Sequence, residues 1–209
     1  MNPKFFSLPQ EKQSRIVNAA IRVFGGADYR HAVTDDIAAY AGISKGLLFH
    51  YFGNKRGLYQ YAFDYCLRFI AQAANRAIPE GKMDFFAITL QCEHAKVGIM
   101  KRYPHVYAFI MRAYYEEDED VADVVQPLRL SWTTRSVDAL LPRIDETKFR
   151  EGVDPAQALR TLVYCAEGFL LMRRREGALA DPDHLVEGFD ETLRLLKRSF
   201  YKEEYHDLS

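Results

Sequence analysis

Apolar residues recur along most of this chain at the three- and four-residue spacing of amphipathic helices. Ile16, Ala20 and Phe24 show this spacing near the beginning of the chain, and Phe189 and Leu193 show it near the end. Proline and glycine fall mostly at the ends of these segments, where they start or stop helices. Pro127 is predicted to open one helix, and Asp154-Pro155 is predicted to be the cap and first residue of another. Alternating runs rich in valine and isoleucine, which would indicate strands, do not occur. The pattern predicts an all-α fold with about nine helices.

The charge of the chain is unevenly distributed. The 209 residues have a net charge of −1, with ordinary globular proportions of hydrophobic (48%) and charged (27%) residues, which exclude disordered and collagen-like chains. Residues 1–57 contain eight basic and four acidic residues, which gives +4, and the remainder is therefore −5. A basic segment joined to an acidic body is typical of a nucleic-acid-binding module attached to a second domain.

The cysteines and the hydropathy indicate a cytoplasmic protein that does not enter a membrane. Cys66, Cys92 and Cys165 are odd in number and widely spaced, so they fit neither a disulfide framework nor a zinc site. The sequence shows no signal peptide and no uninterrupted apolar run of membrane-spanning length. The acidic run 116–120 is interpreted as a solvated loop rather than a metal site. No metal and no cofactor are predicted.

The segment from Thr34 to Phe52 predicts two short helices joined by a tight turn. Thr34 is a candidate N-cap, and two aspartates follow it in the first turn, where the helix dipole favours anions. Gly42 ends this helix, and Ser44 is the candidate N-cap of the next, which has the sequence KGLLFHYF. Two such helices form a helix-turn-helix.

The second of these helices is predicted to have an inner and an outer face. Leu48 and Phe52 are four residues apart and share the inner, apolar face. Basic and aromatic side chains in succession suit a surface that contacts sugar, phosphate and base edges. The predicted outer surface consists of Lys45, Phe49, His50 and Tyr51.

Four further features suit contact with the DNA backbone. Ser44 lies at a helix N-terminus, where free N–H groups and the dipole favour a phosphate, and Thr34 is assigned the same role. Gly46 lacks a side chain, so DNA can approach the backbone closely. Lys55 follows the second helix and can act as a point charge. The alternative is a helical hairpin in which the caps are only caps.

The string TDDIAAYAGISKGLLFHYFGNKRGLY resembles the DNA-binding segment of the TetR family of bacterial regulators. The matching positions are Thr34, Ile37-Ala38, Ala41-Gly42-Ile43-Ser44, Gly46, Leu48-Phe49, Phe52 and Lys55. One departure is Phe49, where the family usually has tyrosine, so one possible phosphate contact is lost. The resemblance is specific over about residues 9–60 and rests on length and helix count beyond them.

The resemblance implies a homodimer that binds a palindromic DNA operator. Residues 1–57 would form the DNA-binding domain, with Ser44–Tyr51 in the major groove, and residues 58–209 would bind an effector and dimerise. The last two helices, at about 155–176 and 182–203, would form a four-helix bundle with the partner. The interface residues predicted on this basis are Leu162, Phe169, Leu185, Phe189, Leu193 and Leu196.

The resemblance also implies a small-molecule pocket among the middle helices. Aromatic residues are dense between Phe63 and Trp132, and packing is their commoner role, although they also suit a small hydrophobic or aromatic effector. The predicted pocket residues are Tyr107, Met111, Trp132 and Tyr164. Effector binding would release the DNA, as in a repressor.

Two other functions stay open on the sequence alone. A helix-turn-helix regulator could respond to a protein partner instead of a small molecule. A helical-bundle enzyme would need two Glu-x-x-His pairs, and the chain has one such spacing, from Glu203 to His206. Gly-rich phosphate loops and nucleophile-elbow motifs do not occur. The chain is therefore predicted not to be an enzyme, and no catalytic residues are assigned.

Overall fold

The computed structural model of the protein describes residues 2–177 and 188–206, apart from the side chain of Ala77. These residues form nine α-helices and no β-strand, with two isolated bridges, Met83 to Ile144 and Phe149 to Tyr201. The predicted all-α fold is confirmed. In chain order the helices are α1 Gln10–Gly26, α2 Thr34–Ala41, α3 Lys45–Phe52, α4 Lys55–Ala77, α5 Phe85–Arg102, α6 Pro104–Tyr114, α7 Glu119–Leu140, α8 Pro155–Arg175 and α9 Asp190–Phe200.

The first of two compact units contains residues up to Ile70 together with Arg102–Trp132. Its core includes a cluster of three rings, in which Phe24 of α1 stacks on Phe109 of α6 at 5.6 Å and Tyr59 of α4 meets both edge-on. The fully buried residues around this cluster include Ile16, Ala20, Ile37, Ala41, Leu48, Leu58, Phe63 and Ala113. Burial of these side chains holds α1–α4 and α6 together.

Gly25 marks a close approach of α1 and α6. A Cβ atom at this position would lie 2.9 Å from the carbonyl oxygen of His105, a distance that side chains do not adopt. Arg112 of α6 also donates from Nε to the carbonyl oxygen of Gly25 at 2.9 Å. Only glycine therefore lets the two helix backbones meet here.

The second unit contains Ala71–Lys101 together with the chain from Thr133 onward. Its main core consists of Phe85, Ile144, Phe149, Ala158, Leu159, Leu162 and Tyr201. Tyr201 is fully buried, and its hydroxyl donates to Oδ2 of Asp84 at 3.0 Å and accepts the backbone N–H of Phe85 at 2.9 Å. Lys148 donates to the same carboxylate oxygen at 3.0 Å. These bonds fasten the end of α9 to the beginning of α5.

Helix boundaries agree with the sequence prediction at α8 and differ at α7. Asp154 caps α8 as predicted, since its carboxylate accepts the N–H of Ala156 and Pro155 is the first residue. The prediction that Pro127 opens a helix is wrong, because Pro127 lies inside α7. That helix begins earlier, where the carbonyl oxygen of Asp118 accepts the N–H groups of Val121 and Ala122. The predicted start of the last helix lies outside the described residues.

The first compact unit extends past Gly57, the predicted end of the DNA-binding domain. A functional boundary at that glycine stays a prediction. Within the described residues, no helix combines the length and the apolar character needed to cross a membrane.

Candidate nucleic-acid interface

The turn between α2 and α3 has the geometry predicted for a helix-turn-helix. Gly42 ends α2 in the left-handed conformation, with φ of 64°, and donates its N–H to the carbonyl oxygen of Ala39. Ile43 donates to the carbonyl oxygen of Ala38 at 3.0 Å. Ser44 then caps α3, because its hydroxyl accepts the N–H of Leu47 at 3.2 Å. The predicted cap at Ser44 is confirmed.

Helix α3 has one buried face and one open face. Leu48, Tyr51 and Phe52 are buried, and their spacing of three and four residues places them on one side of the helix. We call the opposite side, together with the cap, the outer face. It consists of the exposed residues Ser44, Lys45, Gly46 and His50 and the partly exposed Phe49.

Tyr51 does not belong to the outer face, and the prediction that it lies on the outer surface is wrong. Its side chain is only 6% exposed and packs edge-on against Phe5 at 5.8 Å between ring centroids. Its neighbours on the helix, Leu48 and Phe52, face the same core. The ring therefore serves packing.

Thr34 is also not the helix cap that the sequence predicts. The residue in the N-cap position of α2 is Val33, which makes no side-chain capping bond, and Thr34 is the first residue of the helix. Thr34 is only 9% exposed. A phosphate contact by its hydroxyl or amide stays a prediction. The predicted capping role is wrong, because the cap position is one residue earlier, at Val33.

Lys45 forms an ion pair across the turn with Asp35 of α2, at 2.7 Å. Both side chains are about half exposed to solvent. Solvent-exposed ion pairs contribute at most about 1 kcal/mol, so a phosphate can replace Asp35 as the partner of Lys45 at little cost.

Lys55 is held at the beginning of α4 by two groups. Its ammonium donates to the carbonyl oxygen of Arg30 at 3.2 Å and lies 4.7 Å from the centroid of the Tyr29 ring. Partial burial lowers the pKa of Lys55, while nearby acids, led by Asp118, act in the opposite direction. The side chain is thus ordered before any ligand arrives.

The acidic run 116–120 is not simply a solvated loop. The N–H of Tyr29 donates to Oε2 of Glu116 at 3.0 Å, and Arg30 pairs with Asp118 at 3.4 Å. Arg56 pairs with Asp123 at 2.6 Å, one turn into α7. The run therefore holds the loop between α1 and α2, and Asp123 of α7 holds the beginning of α4. No cluster of metal-ligating side chains occurs in the part of the chain that the structure describes.

The sequence interpretation missed the segment that precedes α1. Asn2 caps a short 3₁₀ helix, Pro3–Phe5, and its backbone N–H donates to the carbonyl oxygen of Tyr51 at 2.8 Å. Phe5 is fully buried and lies 4.9 Å from the ring of Phe52. The signal was present, since Asn2-Pro3 has the cap-then-proline pattern that also opens α8.

The predicted pocket residues divide between the two units. Tyr107, Met111 and Trp132 belong to the first unit, and Tyr164 belongs to the second and is 64% exposed. Trp132 donates from Nε1 to the carboxylate of Asp64 at 3.0 Å. None of the four residues lines either of two grooves on the first unit. These grooves measure about 510 and 220 Å³ and lie along α1 and α2. An effector pocket stays a prediction.

The predicted interface residues differ in how far their own chain covers them. Leu162 is only 4% exposed in the core of its own unit, so the prediction that it is an interface side chain is wrong. The rings of Phe169 and Phe189 contact each other at 5.4 Å. Leu193 and Leu196 pack partly on the same core, and Leu185 lies outside the described residues.

The described apolar residues that α8 leaves exposed follow one line along the helix. Tyr164, Leu171 and Met172 are 64%, 39% and 61% exposed. Gly168 lies between them, and a Cβ atom there would meet nothing within 4 Å. Their spacing of four, seven and eight residues from Tyr164 places them on one face. We call these four residues the exposed stripe.

The geometry defines an all-α helix-turn-helix protein, and the segment that contains this motif matches a known family. Residues 16–62 match the family model of the bacterial regulatory proteins of the TetR family. The resemblance predicted from the sequence is confirmed. None of the curated proteins compared with the chain matches it significantly.

Solved structures of bacterial regulators share this fold over 86–97% of the chain. A TetR-family transcriptional regulator from Chloroflexus aurantiacus J-10-FL has 20% identity and a TM-score of 0.60, covering 97% of this chain and 99% of its own. The fatty acid degradation regulator FadR from Bacillus halodurans has 15% identity and a TM-score of 0.69, covering 86% and 96%. A regulator from Streptomyces coelicolor has 20% identity and a TM-score of 0.62, covering 94% and 86%. The chain thus has the fold of TetR-family transcriptional regulators.

Proposed function

We propose that this protein is a DNA-binding transcriptional regulator of the bacterial cytoplasm that inserts α3 into the major groove. One observation carries the proposal: α3 buries Leu48 and Phe52, while Lys45, Gly46 and His50 are exposed on its outer face among the described residues. Lysine and histidine there offer donors to phosphates and base edges, and glycine lets the groove come close. The match of this segment to the TetR family supports the same role.

We infer that two copies act together. The exposed stripe of α8 places an apolar surface in water, which isolated chains usually avoid over a continuous area. A second copy, packed through α8 and α9, would cover it. A two-fold dimer reads two half-sites of a palindrome and doubles the +4 charge of residues 1–57. The dimer would therefore bind the DNA phosphates more tightly than one subunit alone.

We further propose that the regulator is a repressor released by a small hydrophobic or aromatic effector. The similar structure from Bacillus halodurans is that of a fatty acid degradation regulator, which is consistent with an apolar effector class. Binding would favour the dimer state whose two α3 helices no longer match the operator spacing. Thermal unfolding in the presence of a library of small apolar compounds tests this part separately.

The DNA-binding proposal is tested by selection from a pool of random duplexes with the purified full-length protein. We expect enrichment of a palindromic sequence, with affinity that falls steeply as salt concentration rises. Enrichment of no sequence would contradict the proposal. Binding that is salt-sensitive but without sequence preference would reduce the outer face to a phosphate-binding surface.

A further inference from the structure

Asn2 contacts the outer face of α3 through its side-chain amide. The amide oxygen Oδ1 accepts the backbone N–H of Lys4 at 3.0 Å. The amide nitrogen Nδ2 lies 3.3 Å from the carbonyl oxygen of His50 and 3.2 Å from Nε2 of the His50 ring. One side chain outside α3 thus touches both the backbone and the ring of His50.

The orientation of this amide is determined by its two backbone neighbours. The N–H of Lys4 can only donate, so it must face the oxygen of the amide. The carbonyl oxygen of His50 can only accept, so it must face the nitrogen. Both requirements give the same orientation, in which the –NH₂ group of Asn2 is directed at His50.

This orientation determines the protonation of the His50 ring. The –NH₂ group has two hydrogens, one for the carbonyl oxygen of His50 and one for Nε2. A ring nitrogen that receives a hydrogen bond must have a free lone pair, so Nε2 carries no proton. In the neutral ring the proton then lies on Nδ1, because the bond made by one ring nitrogen determines the tautomer.

The segment that carries Asn2 is anchored by more than exposed hydrogen bonds. Phe5 is fully buried, and its ring lies 5.8 Å from that of Tyr51 and 4.9 Å from that of Phe52. The backbone N–H of Asn2 also donates to the carbonyl oxygen of Tyr51 at 2.8 Å. Apolar burial thus keeps Asn2 at the end of α3.

We propose that Asn2 is a positioning residue that holds His50 as the Nδ1–H tautomer, so that His50 reads a hydrogen-bond acceptor in DNA. In this state the ring has a single donor, Nδ1–H. The acceptors in the major groove are N7 of the purines, O6 of guanine and O4 of thymine. A ring that switched tautomers could also accept from the amino groups of adenine and cytosine, and its selectivity would be lower. The inference rests on the proposed function for its consequence, but not for the tautomer itself.

The tautomer is measured without DNA, by long-range ¹H–¹⁵N NMR of the full-length protein with ¹⁵N-labelled histidine at about pH 8, where imidazole is neutral. The chain has six histidines, and His50→Gln assigns the signal of interest. We expect His50 to show a protonated Nδ1 and an unprotonated Nε2. A proton on Nε2, or an even mixture of the two states, would overturn the inference.

Asn2→Asp reverses the expected tautomer with little change of shape. The carboxylate keeps an acceptor for Lys4 N–H but presents oxygen instead of –NH₂ to His50. The bond to the His50 carbonyl oxygen is therefore lost, and the ring proton should move to Nε2, where it can be donated to the carboxylate. Asn2→Ala should remove the preference. Ser7→Ala is the matched control, because the Ser7 hydroxyl donates to the carbonyl oxygen of Lys4 in the same segment and does not contact His50. The amide signal of Lys4 reports whether the segment stays in place. An unchanged tautomer in Asn2→Asp with that signal retained would refute the role of Asn2.

The consequence for DNA is measured on duplexes that the wild-type protein selects. Asn2→Ala should weaken binding about three- to tenfold and relax base preference only at the positions that His50→Ala relaxes. The salt dependence should not change, because no charge is removed. An equal loss of base preference at all positions of the duplex would overturn the link between Asn2 and base selection. If the wild type selects no duplex, the proposed function fails, while the NMR result still decides the tautomer.

Discussion

The outer face of α3 and the exposed stripe of α8 differ in chemistry but share one property. Each contains a helical glycine, Gly46 or Gly168, at which a Cβ atom would meet nothing within 4 Å. Glycine within a helix costs up to about 1 kcal/mol relative to alanine. The packing of the described chain requires neither glycine. The proposed function assigns a different partner to each face: an anionic groove to the side with Lys45, and an apolar surface to the side with Met172.

A third glycine provides the reference for this comparison. Gly98 lies within α5, is exposed, and would also accept a Cβ atom without contact. Nothing in the structure explains why it is glycine. The same substitution at these three glycines should therefore have three different results. At Gly46 it should affect DNA binding, at Gly168 it should affect dimerisation, and at Gly98 it should affect neither.

The largest effect is expected on the exposed stripe. The double substitution Leu171→Glu and Met172→Glu should convert the proposed dimer to monomers and abolish tight DNA binding, since four carboxylates would meet in the proposed interface. The unfolding free energy of the separated subunit should change by less than about 0.5 kcal/mol per site, because both side chains are exposed in the single chain. Light scattering measures the mass.

A control for the stripe is Leu130→Glu on α7, where the leucine is 68% exposed. This variant should remain a dimer. If the double variant also keeps the mass of the wild type, the two copies do not meet through α8.

The next largest effect is expected at Gly46. Gly46→Leu should weaken operator binding about 100-fold, because the side chain would lie where the groove approaches the helix. The thermal midpoint should stay the same or rise, since leucine favours the helix more than glycine does. Gly98→Leu should give a similar midpoint and normal DNA binding. Normal binding by Gly46→Leu would show that DNA does not approach this part of α3.

A substitution of Asp84 should affect stability rather than DNA binding, because the hydrogen-bond donors described for Asp84 belong to its own chain. Asp84→Asn should lower the free energy of unfolding by about 1–3 kcal/mol, since the carboxylate accepts from Lys148 and from Tyr201 and also caps α5. DNA affinity per folded dimer should not change. Chemical denaturation measures the loss, and Glu146→Gln, which replaces an exposed acid of the same unit, serves as the control.

The stability that Asp84 contributes should depend on pH. Burial raises the pKa of the Asp84 carboxyl, but hydrogen bonds from Ala87, Lys148 and Tyr201 outweigh this and hold the pKa below its ordinary value of 3.8. A lowered acid pKa stabilises the folded state above the unfolded-state value, and this contribution is lost as pH falls through the folded-state value. The difference in unfolding free energy between the wild type and Asp84→Asn should therefore shrink below about pH 4. A constant difference down to about pH 2 would contradict this account.

The smallest effect is expected at Lys55. Lys55→Ala should weaken DNA binding about tenfold for every sequence and reduce the salt slope by about one unit, as for the loss of one phosphate contact. Lys202→Ala is the matched control, because Lys202 likewise donates to a backbone carbonyl, that of Thr147. An unchanged slope would leave Lys55 with a structural role only, through Arg30 and Tyr29.

The sequence predicted the helices and the turn well because their signals are local. Ser44, Gly42 and the Asp154-Pro155 pair act on the backbone of their own turn, and periodicity separates Leu48 from His50 on α3. Pro127 shows the limit of such signals, because it is tolerated within a helix that Asp118 begins earlier.

The side chains that sequence reasoning misplaced depend on distant partners. Tyr51 is adjacent to His50 in the chain, and only Phe5, 46 positions earlier, decides that it is covered. Leu162 has the apolar character of an interface residue, but Tyr201 and its neighbours cover it within the same chain. Contacts between residues so far apart leave no pattern in a single sequence.

The junction of Gly25 with α6 has a mechanical consequence. Two helices that meet through side chains can slide by changes of rotamer, but here backbone faces backbone and Arg112 bonds across the contact. At Gly25 no side chain separates the two backbones, and the stacked rings of Phe24 and Phe109 add a second contact between the same helices. A shift of α6 should therefore move α1 by the same amount. It should also move the core of the first unit, against which α2 and α3 pack.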